Sequence, residues 1–334
     1  MSSVDNLSFA GEVVINEVSI ITTKGFIQTI TNQVAGVQLF EDLSQPFQNG
    51  IVIIKESHDI LNLFPLVGEE FVRIEMSTPG LDDKHKFKGE FYIWKMADRF
   101  RINERELGYA LYFMSLDTLM QMPVYQQFKW DNYSNDIGNS GSSFRNPGED
   151  YMRILEFTTP ETFNYMDRVR SGMYASRMIH YDIVSKKYTD KNYVAANKVG
   201  EQTHLNKYPL VTPTVPSKPN SFMIGEHKYY GNFNGYGDVT NTKTLQDRTS
   251  LLEQINAFRL EIVVFGRLDY TVGQIVDIRV FKNSQLNPDD DPEEYLDKIY
   301  SGKYIIAACA HTIDREKHEC SIELIKESFI RQIS

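Results

Sequence analysis

The chain has 334 residues, a length that suits two or three domains better than a single core. Hydrophobic residues make up 41% and charged residues 24%, which is ordinary for a folded globular protein. The formal net charge of −10 argues against a surface that binds nucleic acid through its phosphates. The same charge suits a surface past which DNA slides without adhering.

The sequence shows no membrane or secretion signal. It has no run of about 20 apolar residues, so we expect no membrane anchor. The segment Met1–Ala10 lacks a basic start followed by an apolar core and does not resemble a secretory signal. The two cysteines, Cys309 and Cys320, are too few for a disulfide framework, and we expect reduced thiols in a protein assembled in the cytoplasm.

The first third predicts strands, because short runs rich in β-branched residues end at turn residues. The predicted strands are Glu12–Thr22, Phe26–Val37, Gly50–Lys55, Glu70–Ser77, Glu90–Arg101 and Leu107–Ser115. Asp59–Phe64 predicts a short helical turn, and the polar residues 103–106 predict a hairpin connection between the last two strands. Many short strands with amphipathic alternation favour an antiparallel barrel or sandwich.

The middle third has a mixed pattern. Asp131–Asp150 is dominated by Asn, Ser and Gly and predicts a long loop. Tyr151–Phe157 predicts a strand or a short helix. Thr159–Arg177 predicts a helix, because Thr159 is a good N-cap and Pro160 suits the first helical position. Met178–Lys187 then predicts a strand.

The last third returns to strands after two irregular segments. Val211–Asn220 contains three prolines and predicts a linker, and Gly225–Gly237 predicts a loop. A helix is predicted to start at Thr244. Strands are predicted at Phe258–Phe265 and Gln274–Phe281, with turns at Gly266, Asp269 and Gly273. An acidic loop at Asn287–Asp297 is predicted to open a short helix. Gly302–Ala310 and Glu319–Ile325 predict a closing hairpin.

Two stretches resemble the central baseplate hub proteins of contractile-tailed bacteriophages and the hub part of type VI secretion spikes. Leu39–Glu70 is similar to the opening β-domain of these proteins, with a "PF..G" turn and a "GEE" turn in order. Arg259–Val280, followed by "SGKY" at the start of Ser301–Ile313 and by Cys320–Ser328, is similar to their second tube-like domain. Gln274 stands where the family often has an acidic residue, and the acidic loop lengthens the usual connection.

The resemblance implies a mainly β fold with an α+β insertion. We expect a first tail-tube-like β-barrel domain at residues 8–122, a mixed α/β domain with a long loop at 123–215, and a second tube-like barrel at 216–334. Three such chains would place six barrels in a ring. A homotrimer of this kind matches a six-fold tail tube on one face and a trimeric spike on the other.

The function implied is that of a structural virion protein in the tail baseplate. The expected partners are further copies of the chain, the tail tube protein, the central spike protein and neighbouring baseplate proteins. Phage DNA would pass through an acidic or neutral lumen without specific binding. The alternatives are another tail tube or baseplate wedge component with one tube-like domain, or a cell-wall-degrading tail enzyme.

No catalytic, cofactor-binding or metal residue is predicted. The chain has no Gly-x-Ser-x-Gly motif and no carboxylate pair that its spacing marks for catalysis. Cys309 and His311 share one strand face and could meet His318 and Cys320 on the returning strand, but ordinary hairpin packing is the favoured interpretation. The other histidines lie at no metal-binding spacing: His58, His85, His180, His204 and His227.

Three further segments have compositions that could suit a site. The acidic loop holds Asp289, Asp290, Asp291, Glu293 and Glu294 but lacks the calcium-loop spacing, so we expect Asp291 to cap a helix with Pro292 at its first position. Gly231–Gly237 lacks the Lys and Ser/Thr of a phosphate loop and predicts a flexible contact loop. Core packing is favoured over a subunit interface for four aromatic residues, Tyr125, Phe128, Trp130 and Tyr133.

Overall fold

The computed structural model describes residues 9–22, 25–56, 66, 68–81, 85–103, 106–115, 134–137, 153–160, 164–182, 186–211, 221–227, 245–282, 296–315 and 317–332. The predicted helical turn at Asp59–Phe64 lies outside them, as do residues 212–220 of the predicted linker and residues 287–295 of the acidic loop. Within the described residues the chain is mainly β, as the sequence predicts.

The strands are short and numerous, and the helices are few. In chain order the strands are β1 (Val14–Ile21), β2 (Ile27–Thr29), β3 (Val34–Asp42), β4 (Gln45–Glu56), β5 (Phe71–Ser77), β6 (Phe87–Arg101), β7 (Leu107–Ser115), β8 (Ser134–Ile137), β9 (Ile154–Thr158), β10 (Ala175–Asp182), β11 (Lys187–Val194), β12 (Tyr208–Pro209), β13 (Ser221–His227), β14 (Phe258–Phe265), β15 (Ile275–Ile278), β16 (Gly302–Asp314), β17 (His318–Lys326) and β18 (Ser328–Phe329). The α-helices are α1 (Tyr165–Ser171) and α2 (Leu245–Ile255). Neither of these described helices has the length and apolar character needed to cross a bilayer.

The chain groups into two compact units, each made of separate stretches of sequence. The first unit comprises residues 1–158, 261–278 and 305–324, and the second comprises 159–260, 279–304 and 325–334. The first unit therefore combines the first part of the chain with two stretches from its last third, whereas residues 325–334 belong to the second unit. The predicted boundaries at residues 122 and 215 do not coincide with these units, and the division into two barrels and a middle domain stays a prediction.

One large sheet forms the first unit. Its neighbouring strands follow the order β2-β1-β5-β6-β7-β4-β3-β16-β17-β14-β9, and β15 pairs with β16 and, in parallel, with β8. The strands from the first third of the chain and those from the last third meet where β3 pairs with β16. We call this antiparallel pairing the seam, and its partners run from Asp42 opposite Ala308 to Gly36 opposite Asp314.

The seam buries apolar side chains on one face of the sheet. Val37 and Ile313 are directly opposite each other, and both are fully buried. Leu39, two residues along on the same face, is also buried and belongs to the same core. Because each fully buried aliphatic side chain contributes about 1.5–3 kcal/mol relative to exposure, this pairing stabilises the junction of the two ends.

The predicted strand Phe26–Val37 is wrong in its continuity. β2 ends at Thr29, and a short 3₁₀ turn at Thr31–Gln33 precedes β3. The Thr31 hydroxyl accepts a hydrogen bond from the backbone N–H of Val18 at 2.9 Å. Such a side-chain bond replaces part of the strand ladder, which period-two alternation does not reveal.

The predicted helix Thr159–Arg177 is wrong in its extent, because α1 covers only Tyr165–Ser171. The N-cap is Asn164 rather than Thr159, and its side chain accepts a hydrogen bond from the N–H of Asp167 at 3.2 Å. Gly172, with φ of 86°, ends the helix in the left-handed conformation that glycine adopts readily. The chain then enters β10 three residues earlier than the predicted start at Met178.

Two predicted loops contain strands. Residues Ser134–Ile137 of the predicted loop Asp131–Asp150 form β8, and the rest of that loop lies outside the described residues. The predicted loop Gly225–Gly237 begins inside β13, which ends at His227. In both cases the strand pairs with a neighbour distant in sequence, a contact that local composition does not encode.

The second unit has a small mixed sheet and both α-helices. β10 pairs with β11 in antiparallel fashion and with β13 in parallel. The amide nitrogen of Gln246 on α2 donates to the carbonyl oxygen of Ser176 at 3.1 Å, and the hydroxyl of Ser250 donates to the carbonyl of Met173 at 2.6 Å. These buried bonds fix α2 against the start of β10.

A buried lysine lies at the end of β17 in the second unit. Lys326 is fully buried, and its Nζ donates to the carbonyl oxygens of Ile299 at 2.5 Å and Ser301 at 3.1 Å. Ring centroids lie 4.9, 4.4 and 5.0 Å from this nitrogen, those of Phe258, Tyr304 and Phe329 respectively. Burial lowers the pKa of Lys326 to about 7, against the opposing influence of Asp297 and Glu327.

We predict that this lysine makes stability rise with pH. Between pH 7 and about 10.5 the unfolded chain binds a proton that the folded chain lacks, so the free energy of unfolding increases across this window. Below pH 7 the full cost of burying the ammonium is present. Lys326→Met should flatten the rise by about 1–3 kcal/mol in denaturant titrations at pH 7 and pH 9.5. The control is Lys303→Met at an exposed position, and an equal effect of both variants would contradict the prediction.

Candidate functional site

A concave cavity of about 490 Å³ opens on the sheet of the first unit. It spans β4, β3, β16, β17, β14 and β9, and therefore lies on both sides of the seam. Ala308, Ala310 and Ser321 occupy alternate positions of β16 and β17 that point away from the core, and these small side chains form a low floor. The concavity thus follows from small residues at outward positions.

Carboxylates of one sign line this cavity. They are Glu41, Asp42, Glu156, Glu261 and Glu323, and none of the described residues that line it is Lys or Arg. A cavity lined by one sign of charge focuses the electrostatic field, so this face repels anions such as phosphates. We call it the acidic face.

Two of these carboxylates also hold local structure. Glu41 accepts a hydrogen bond from the N–H of Val272 at 3.3 Å. Asp42 accepts bonds from the N–H and hydroxyl of Ser44, at 2.7 and 2.6 Å, in the turn before β4. These hydrogen bonds give Glu41 and Asp42 a structural role in addition to their charge.

The other carboxylates lie on strands that flank the cavity floor. Thr158 of β9 lies opposite Glu261 of β14, and Glu156 lies opposite Val263. Glu156 and Glu261 are therefore diagonal neighbours on one face, a placement in which like charges repel. Strand pairing alone does not favour this arrangement, and a requirement for negative charge on the face would account for it.

The strand path of the large sheet ends at two edges. β2 and β9 end this path and each pairs with one neighbour among the described strands, as does β8, which branches from the path through β15. Ile27 on β2 is 54% exposed and Phe157 on β9 is 41% exposed. Edge strands with apolar side chains are ready templates for pairing with another chain. Local sequence patterns do not reveal these edges, because edge position depends on the order of strands in the sheet.

A second apolar surface lies on β6. Trp94 and Phe100 are about half exposed, and the Trp94 ring contacts the Tyr112 ring edge-on with centroids 5.8 Å apart. The Lys95 ammonium lies 4.5 Å from the Tyr112 ring centroid. Exposed aromatic rings are typical of interface centres. The aromatic residues weighed from the sequence for this role, Tyr125, Phe128, Trp130 and Tyr133, lie outside the described side chains.

The structure brings together the four sulfur- and nitrogen-bearing residues of the closing hairpin. Cys309 and His311 on β16 meet His318 and Cys320 on β17, and all four are buried. His311 Nδ1 lies 3.0 Å from His318 Nε2 and 3.0 Å from Cys320 Sγ. On its other side, His311 Nε2 lies 3.2 Å from the carbonyl oxygen of Tyr270 and 3.4 Å from Cys309 Sγ.

Burial and the hydrogen bonds within this cluster shift the pKa values of its side chains. Hydrogen bonding to Cys320, followed by burial, raises the pKa of the Cys309 thiol well above its ordinary value. Burial, together with the nearby His311, lowers the pKa of the His318 ring well below its ordinary value. The metal-free cluster therefore holds a protonated Cys309 thiol and a neutral His318 ring at pH 7.

The remaining histidines do not join this cluster within the described residues. His204 is half-buried, and its Nε2 lies 3.0 Å from the carbonyl oxygen of Val199. His85 is half-buried in a short turn. His58 and the side chains of His180 and His227 lie outside the described part of the chain, together with Gly231–Gly237 and the acidic residues 289–294.

The similarity of the chain to known proteins lies in its structure. No protein-family model matches the chain. No curated protein matches it in sequence. One solved structure with a similar arrangement is a tail protein from Neisseria meningitidis MC58, with 10% identity, coverage of 93% of this chain and 96% of that chain, and a TM-score of 0.47. A second is the 43 kDa tail protein of prophage MuSo2 from Shewanella oneidensis, with 9% identity, coverage of 93% of this chain and 98% of that chain, and a TM-score of 0.43. A third is the Francisella PdpA–VgrG complex, with 7% identity, coverage of 99% of this chain and 56% of that chain, and a TM-score of 0.44.

These neighbours are the kinds of protein that the sequence resembles, tail proteins and a VgrG complex. At such identities and TM-scores they carry no argument about what this chain binds or does.

We predict that Gly266 is required for the packing of His318. A Cβ at this position would lie 2.2 Å from Cδ2 of the His318 ring, which is closer than two non-bonded carbon atoms can approach. Gly266→Ala should therefore lower the free energy of unfolding by about 1–3 kcal/mol in denaturant titrations. The matched control is Gly200→Ala, where a Cβ meets nothing within 4 Å and the change should stay within about 0.5 kcal/mol. Equal effects of the two substitutions would contradict the prediction.

Proposed function

We propose that the chain is the central baseplate hub of a contractile tail, a homotrimeric ring that joins the tail tube to the central spike. The observation that carries the proposal is the seam. Through it the first and last thirds of the chain stand side by side in one sheet. A chain with two similar halves arranged in this way presents two subunit-like elements to its neighbours.

The side-by-side placement of the two ends would let an assembly of three chains match a partner with six-fold symmetry. Three chains with two adjacent β-rich ends present six elements around one axis, while the chain itself repeats three times. One face of such a ring fits a six-fold tube and the other fits a trimeric spike.

The ring closes through the edges of the sheet at β2 and β9. In each copy β2 presents one edge and β9 presents the other. The edge at β9 of one copy meets the edge at β2 of the next, which is a head-to-tail contact that closes when the rotation is one third of a turn. Ile27 and Phe157 supply apolar surface to this contact.

The acidic face is the part of each chain that lines the passage. Its outward carboxylates, Asp42, Glu156, Glu261 and Glu323, repel the phosphates of DNA, so the duplex moves through without adhering. The proposed setting is the virion baseplate, after assembly in the host cytoplasm. The β6 surface around Trp94 and Phe100 is the proposed contact for neighbouring baseplate proteins.

The assembly state tests this proposal. Size-exclusion chromatography with light scattering should give the mass of three chains, alone or after addition of the spike protein. Phe157→Lys places a charge at the β9 edge and should shift the population to monomer, because an unpaired charge in an apolar contact costs several kcal/mol.

The matched control is Leu252→Lys, which introduces the same charge at a similarly exposed apolar position on α2. This variant should remain trimeric. A wild-type chain that stays monomeric and does not bind the spike protein would contradict the proposal.

The proposed role is structural and not enzymatic. A zymogram against bacterial cell walls should show no clearing at the position of the chain. Clearing by the wild-type chain would instead support the alternative of a cell-wall-degrading tail enzyme.

A further inference from the structure

The buried cluster in the hairpin of β16 and β17 has the composition of a metal site. We propose that Cys309, His311, His318 and Cys320 bind one zinc ion that joins the two strands. The site lies within the first unit and its existence does not depend on the hub function. It replaces the expectation of ordinary hairpin packing with a specific ligand set.

The separations of the ligand atoms fit zinc. Cys320 Sγ, His311 Nδ1 and His318 Nε2 form a triangle with sides of 3.0, 3.0 and 3.6 Å. With Zn–S of about 2.3 Å and Zn–N of about 2.0–2.1 Å, tetrahedral ligand atoms lie about 3.3–3.8 Å apart. An outward movement of about 0.3 Å therefore converts the triangle into three corners of a zinc tetrahedron.

Cys309 is the proposed fourth ligand. Its sulfur lies on the Nε2 side of His311, 3.4 Å from that nitrogen, so it has to turn toward Nδ1 to reach the ion. One ligand atom from each of Cys309, His311 and Cys320 lies within 4.8 Å of the others. Two thiolates and two imidazoles make a common donor set of structural zinc sites. All four residues are buried, which leaves no open coordination position for a substrate or water and favours a structural ion over a catalytic one.

The second nitrogen of His311 has the partner that metal-binding histidines usually have. Its Nε2 lies 3.2 Å from the carbonyl oxygen of Tyr270, and a proton on Nε2 donates to that oxygen. This tautomer leaves the lone pair of Nδ1 directed at Cys320 and His318. A backbone carbonyl that fixes the tautomer in this way raises the basicity of the ligating nitrogen.

The metal-free cluster is poorly satisfied in hydrogen bonds. When His311 donates through Nε2 and His318 carries its proton on Nε2, the one lone pair on His311 Nδ1 has two competing donors, the Cys320 thiol and His318 Nε2. A buried donor that loses this competition costs about 1–3 kcal/mol. A zinc ion removes the competition, because it accepts electron pairs from both nitrogens and from the deprotonated sulfurs.

The backbone around the site is held on both sides of His318. Its N–H donates to the carbonyl oxygen of Gly11 at 2.8 Å, and its carbonyl oxygen accepts from the N–H of Gly266 at 2.8 Å. Across the seam, Cys309 lies opposite Glu41 and His311 lies opposite Leu39. Zinc at this position would therefore fasten β17 to the strand that joins the two ends of the chain.

The test begins with the metal content of the full chain purified without chelators. Mass spectrometry of the metal should find one zinc per chain. After removal of zinc, added cobalt should give the visible absorption of a tetrahedral site and a near-ultraviolet band from thiolate-to-cobalt charge transfer. Removal of zinc should lower Tm by at least about 4 °C, and added zinc but not magnesium should restore it.

The variants locate the ion. Cys309→Ser, Cys320→Ser and His318→Gln should lose zinc and lose or weaken the cobalt spectrum. Two control variants should keep one zinc, His204→Gln at a half-buried histidine of the second unit and Ile313→Val at a buried position beside the site. If the cysteine variants do not fold, the zinc content, cobalt spectrum and Tm of the wild-type chain still decide the question.

Three results would overturn the proposal. The first is a reduced wild-type chain that contains no stoichiometric zinc and whose Tm does not respond to added zinc. The second is a cysteine variant that still folds and retains a full zinc ion, which would place the ion elsewhere. The third is a disulfide between Cys309 and Cys320 that is already present in the chain purified under reducing conditions and persists there.

Discussion

The structure depends on the antiparallel pairing of β3 with β16. This pairing brings residues from the first and last thirds of the sequence into one ladder, with Val37 opposite Ile313 in the core. The partners are more than 250 residues apart in sequence, so forming the pairing costs loop-closure entropy. The burial of apolar side chains along the seam has to offset this cost. The continuous sheet, its two edges and the acidic face all exist because this seam forms.

The two faces of the seam have opposite chemistry. On the core face, buried aliphatic residues and the Cys309–His311 cluster hold the ladder together, and a zinc ion would reinforce it. On the outer face, Ala308 and Ala310 leave a shallow floor bordered by carboxylates. Alternation along a single strand, β16, thus separates a stabilising interior from a charged surface. A ring of such strands would line a channel with negative charge and keep its apolar surface inside the walls.

The sequence predicted the strands well where the hydrophobic pattern is local. Leu107–Ser115 was predicted with its observed bounds, and Phe258–Phe265 likewise. The helix predicted at Thr159–Arg177 was wrong because the Asn164 cap and the left-handed Gly172 confine α1 to seven residues. Pairings between distant segments, such as the seam, cannot be read from local periodicity. For the same reason the meeting of Cys309, His311, His318 and Cys320 could be named from hairpin alternation, but their distances could not.

The central claim is that the two edges of one sheet meet in a closed ring of three chains. Cross-linking between the edges tests it most directly. A chain with Ile27→Cys and Phe157→Cys, oxidised briefly under native conditions while Cys309 and Cys320 remain buried, should give covalent dimers and trimers on a denaturing gel and no larger species. Absence of cross-linked product, or a ladder that continues beyond the trimer, would contradict the account.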